Sequence, residues 1–122
     1  MIHLPRRQFV RMVLQAYRQL PPPVKQALRN VDVAVEEWPV SEDLGSPEGD
    51  NTLLGLYTGV PLVEREGGGP PLPDRIIIYR QPILRSCTSR AEVAQEVRTT
   101  LWHEVGHHLG LSEDDLHRLG YG

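Results

Sequence analysis

The residues whose types and spacing bear on chemistry lie together in Trp102 to Asp115, WHEVGHHLGLSEDD. Within it His103, Glu104 and His107 make H-E-x-x-H. On a helix, residues four apart share one face, a turn along. Both imidazoles then reach one metal ion, and nitrogen ligands in a tetrahedral site favour zinc. Glu104 lies about 100° round from His103, so it approaches a water on the metal without being a ligand. The chemistry is hydrolysis: the metal lowers the pKa of the water to about 7, and Glu104 takes its proton as general base. With 5 His in 122 residues, chance yields H-E-x-x-H about 0.02 times per shuffled chain. The motif therefore outweighs the bland alternative of two surface histidines on an ordinary amphipathic helix.

A helix must carry this motif, and both of its ends are written locally. Ser89 with Glu92 three residues on is a capping box. A helix of about 20 residues, roughly 30 Å, runs from there to Leu109, where Gly110 supplies a left-handed stop. Val93, Ala94, Val97, Leu101, Val105 and Leu109 cover one half of it. His103 and His107 fall outside that half, with Glu96 and Thr100 on their stripe, so the metal face borders the core and looks into a cleft. His108 points about 100° away, toward the apolar side, and reads as a packed or hydrogen-bonded residue. His117 reads as exposed and His3 as terminal. Cys87, the one cysteine, makes no internal disulfide and reads as inert.

The elements beside this helix follow from periodicity. Phe9, Met12, Val13, Ala16, Tyr17 and Leu20 form one face of an N-terminal helix, opened near Pro5 and ended by Pro21-Pro22-Pro23. Pro23 to Asn30 predicts a short second helix with Val24, Ala27 and Leu28 inward. Val31 to Glu36 alternates as a half-buried strand, stopped by Pro39. Ser41 to Asn51 is an acidic loop, and Glu42 to Asp50 is a candidate to cover a groove. Leu53 to Val60 predicts a second strand, which Gly55 and Gly59 weaken and mark as an edge or a bulge, with the edge as the candidate. Gly67 to Pro73 reads as a flexible loop, and Gly67-Gly68-Gly69 opens no helix and so is no phosphate loop. Arg75 to Arg80 predicts a third strand buried on both faces and interrupted by Pro82. Ser112 to Leu119 predicts a last short helix. Tyr57, Tyr79 and Tyr121 are each able to donate to an oxyanion, but each reads first as a core residue with a wet hydroxyl. The fold class is α+β: a small mixed sheet of three or four strands packed on the N-terminal helix and the long active-site helix.

A catalytic zinc needs a third protein ligand. The extended run H-E-x-x-H-x-x-G-x-x-E resembles the metzincin clan of zinc peptidases. More closely, LLGLYTGVPL, LPDRIIIYR and the capped helix into HEVGHHLGLSEDDLHRLGYG resemble the family of small bacterial zincin-like proteins with a minimal metzincin-type fold. The resemblance covers roughly residues 9 to 122. It implies a zinc-dependent metallopeptidase with one zinc ion, ligands His103, His107 and Glu113, and Glu104 as catalytic base. Two departures stand out. Metzincins place a methionine turn after the helix, whereas the methionines here are Met1 and Met12. Glu also replaces the usual third His, and Asp114 next to it competes for that role.

Composition bounds the rest. A chain of 122 residues is expected to form one domain, residues 1–122, with one modest core and an open groove of weak selectivity. A net charge of -3 argues against nucleic acid as a partner. No apolar run long enough for a membrane and no signal peptide is evident, so a cytoplasmic location is expected. The expected partner is a peptide or protein substrate, and oligomeric state is not written in the sequence. The rival expectations are a non-catalytic zinc-binding or regulatory domain, and a zinc hydrolase acting on something other than proteins.

Overall fold

The computed structural model describes residues 2–40, 53–59 and 74–111, together with Asp114 and Arg118. Helix α1 spans Arg6–Arg18 and α2 spans Pro22–Ala27. Strands β1 (Val31–Glu36), β2 (Gly55–Thr58) and β3 (Asp74–Tyr79) follow, then α3 (Arg80–Ser86) and α4 (Arg90–Leu109). The described strands form a mixed sheet in the order β1-β3-β2, with β1 parallel and β2 antiparallel to β3. This is the α+β arrangement expected, with β2 at an edge of the described sheet.

The central strand shows why the sheet needs cover on both faces. Ile76 and Ile78 point one way and Ile77 the other, and all three are buried. On the face of Ile76 and Ile78, α4 packs with Val93, Val97, Leu101 and Val105, none of which has any exposed surface. Each such side chain contributes about 1.5–3 kcal/mol of burial. Phe9, Val13 and Ala16 of α1 and the valines of β1 close the same core.

Two boundaries differ from expectation for one reason, the position of proline. Pro82 does end the strand, but it also lies in the first turn of α3 and is buried there. A first-turn N–H has no helical partner, so proline loses nothing at that place. In the same way α2 begins at Pro22, one residue earlier than expected, and ends at Ala27, with the buried Leu28 as the residue that caps it while Val24 stays half-buried.

Candidate metal centre

The site is built on α4, whose two ends are fixed as the sequence predicts. The Ser89 side chain accepts from the Glu92 N–H at 3.1 Å, and the Glu92 carboxylate accepts from the Thr88 N–H at 2.7 Å. Those bonds, the Thr88 side-chain contact first, hold the Glu92 carboxyl below its ordinary range. At the far end Gly110 takes φ 75, a left-handed conformation that a side chain would disfavour. Leu111 N–H donates to Gly106 O at 2.8 Å and Gly110 N–H to His107 O at 3.2 Å, a Schellman closure. The chain therefore turns away three residues after His107.

Between these ends the motif residues meet different surroundings. His103 is half-buried, Glu104 is buried and the His107 side chain is 54% exposed. His107 Nδ1 lies 3.1 Å from Glu104 Oε1. Burial pushes the Glu104 carboxyl up, against the opposing pull of His107, His103 and the main-chain N–H of Tyr57. Glu104 is thus a carboxylate at a dry boundary, flanked by two imidazoles and touching the edge strand.

Gly55 makes that contact possible. A Cβ at this position would lie 2.6 Å from Thr100 Cγ2 and 3.3 Å from Glu104 Cγ. Only a residue without a side chain lets β2 approach α4 so closely. Thr100, expected on the open stripe, is accordingly buried beneath β2.

The expected site residues separate into three groups. His103, Glu104 and His107 share one side of α4. Glu113 lies outside the described residues, as do His117, Tyr121, the acidic loop from Glu42 to Asp50, Gly67-Gly68-Gly69 and most of the Ser112 to Leu119 helix. Asp114 is exposed, and His3 is exposed. Among the described residues no three His, Cys, Asp or Glu side chains are gathered in a metal-holding cluster. The donor set still fits zinc: two imidazoles one helical turn apart supply two of its three usual protein ligands.

His108 is packed and hydrogen-bonded, as its register predicts. Its Nδ1 lies 3.0 Å from Asp74 Oδ2 and 3.2 Å from the Tyr57 hydroxyl, and its Nε2 lies 3.3 Å from Ala27 O. The Tyr57 hydroxyl donates to Asp74 Oδ2 at 2.8 Å. That hydroxyl is therefore hydrogen-bonded within the protein, on a side chain that is half-buried. Asp74 was not singled out from sequence, because an acid between Pro73 and an apolar run reads as a turn residue. Its one signal was its place at the start of a strand buried on both faces.

The model of the zincin-like metallopeptidase family matches residues 28–122. Among solved structures, the chain is similar to a conserved hypothetical protein from Thermus thermophilus, at 28% identity and a TM-score of 0.61. That similarity covers 87% of this chain and 94% of the other. A search of the curated proteins finds no match. With its H-E-x-x-H helix set beside a mixed-sheet edge, and with the family pattern running through most of its length, the chain belongs to the zincin-like metallopeptidase family.

Proposed function

We propose that the protein is a zinc-dependent peptidase that cleaves peptide bonds with Glu104 as general base. His103 and His107 would hold the ion as two ligands, with Glu113 as the third. When bound, zinc supplies Lewis-acid polarisation of the scissile carbonyl and makes a water acidic near neutral pH. The single observation that carries the reading is the placement of Glu104: buried, between two imidazoles, against the edge strand β2.

Each remaining role belongs to a residue of the chain. Glu104 accepts the proton of the attacking water and passes it to the leaving amine. Burial favours this, since a carboxylate pushed up from its ordinary range is the stronger base. A substrate in extended form adds to the outer side of β2, an edge among the described strands, by main-chain hydrogen bonds, so recognition is mostly of backbone.

Glu104→Gln tests this. The expected result is an unchanged one-to-one zinc content with hydrolysis of an unstructured protein reduced about 10³-fold. Zinc absent from the parent protein, or activity that survives the substitution, overturns it. A parent protein that holds zinc tightly and cleaves neither peptides nor small amides would be a non-catalytic zinc-binding domain instead.

A further inference from the structure

Charge is spread unevenly along the chain. Arg6, Arg7, Arg11, Arg18, Lys25 and Arg29 all fall in its first 31 residues, which hold no Asp or Glu, although the whole chain carries a net charge of -3. Arg7, Arg11, Leu14 and Arg18 stand at i, i+4, i+7 and i+11 on α1, so they share one stripe about 17 Å long. The stripe lies opposite the buried Phe9, Val13 and Ala16, and its four residues are exposed, Leu14 at 47%. Among the described residues none of its three arginines meets a carboxylate.

Beside the stripe, α1 and β1 flank a groove of about 400 Å³. Val10, Leu14 and Tyr17 of α1 face Val31, Val33 and Val35 of β1 across it, and all but the exposed Leu14 are half-buried. Arg6 bridges the two elements at one end, donating to Val35 O at 2.7 Å and pairing with Glu37. The volume falls within the about 300–1,000 Å³ typical of clefts that hold ligands. The strand order β1-β3-β2 sets this groove at the side of the sheet away from β2 and the motif turn of α4 that touches it. An aliphatic groove with a basic lip matches a segment that brings apolar side chains to the groove and carboxylates to the lip. The valines are recessed between helix and strand, so a flat lipid surface would meet the arginines and miss them. A nucleic-acid strand would also leave the valines unmatched. A second copy docking by the same face across a two-fold axis would set arginines against arginines.

We propose that the groove between α1 and β1 docks an acidic segment of another protein that also carries aliphatic side chains. Leu14 and the β1 valines take the aliphatic side chains, and Arg7, Arg11 and Arg18 take the carboxylates. This docking is independent of zinc and of peptide cleavage.

Selection from a library of random peptides of about 12 residues on the full-length, metal-free protein tests this. Recovered peptides should be rich in Asp and Glu interspersed with Leu, Ile or Val, and should bind one-to-one. Two variants at exposed positions leave the core untouched: Arg7→Glu with Arg11→Glu reverses the lip, and Leu14→Gln removes an apolar wall of the groove. Each should weaken a recovered peptide at least about tenfold while the melting temperature stays within about 3 °C of the parent. Recovery of no acidic peptide, or of peptides that both variants hold as tightly as the parent, overturns the docking. Loss in only one of the two variants would reduce the contact to plain charge attraction or plain apolar adhesion and overturn it as well. Phosphatidylglycerol vesicles or a single-stranded oligonucleotide bound more tightly than any recovered peptide, and lost in the same variants, would make the face a lipid or nucleic-acid surface instead. Self-association in sedimentation equilibrium that Leu14→Gln abolishes would make it a contact between copies.

Discussion

His107 and His108 are neighbours on one helix, and they meet opposite fates. The side chain of His107 is 54% exposed and turns toward Glu104 on the open side of α4. His108 is 2% exposed and is held between Asp74, Tyr57 and the carbonyl of Ala27. The difference is one step of about 100° around the helix axis. On the open side the imidazole meets Glu104 through Nδ1, and Nε2 is the nitrogen left for a metal. On the packed side the same ring must satisfy both nitrogens within the protein, because a buried polar atom without a partner costs about 1–3 kcal/mol. Identical chemistry in adjacent positions is thus divided into a proposed binding role and a structural one by the packing of α4 on the sheet.

Stability separates the two sides most sharply. His108→Leu leaves Asp74 buried with one partner fewer and should cost about 2–4 kcal/mol in urea unfolding. His107→Leu in the metal-free protein should cost under about 0.5 kcal/mol. Equal losses would erase the distinction drawn between the two residues.

Gly55 probes the boundary between the two sides. Gly55→Ala would set a Cβ 2.6 Å from Thr100 Cγ2 and 3.1 Å from the Ile77 carbonyl. Thr100 is buried under β2 and the Ile77 carbonyl belongs to β3, so relief requires β2 to shift against both neighbours. Denaturation should show a loss of about 1–3 kcal/mol. A neutral substitution would mean that the approach of strand to helix is looser than described.

Another small effect is expected far from both histidines, at Glu37. Burial pushes its carboxyl up, but bonds from Gln81, Arg6 and Arg80 outweigh this and hold it below the ordinary range. A carboxylate depressed in the folded state stabilises above its unfolded pKa, and that stability is lost as pH falls through the folded value. Glu37 is 40% exposed, so solvent screening limits its contribution to under about 1 kcal/mol. Glu37→Gln should therefore unfold slightly earlier than the parent at pH 7, and the two curves should converge below about pH 4. This screened cluster is the baseline against which the dry contact of His108 stands out.

Much of α4 was legible in the sequence because its signals are local. Ser89, Glu92 and Gly110 act on neighbours within a few residues, and the stripe of Val93, Val97, Leu101 and Val105 needs only helical geometry. The strands were legible from alternation and from the run of isoleucines, and the edge from the glycines of β2. Helix α3 was not, because Pro82 reads as a breaker unless its place in a first turn is known. The contact of Tyr57, Asp74 and His108 was not legible either, since it forms between residues far apart in the chain and depends on β2 lying beside β3. The burial of Glu104 is hidden for a related reason. Its register, about 20° from Val93 and from Val97, borders the apolar half, but only the missing side chain of Gly55, far away in sequence, brings the strand down onto it.

Zinc affinity is the measurement that tests the division of the two histidines most directly. Titration of the parent, His107→Ala and His108→Gln with zinc should give a single tight site in the parent. His107→Ala should weaken that site by at least about 100-fold, while His108→Gln, where folded, should leave it within about tenfold. Zinc bound as tightly by His107→Ala as by the parent, or lost only on substitution of His108, would contradict the account.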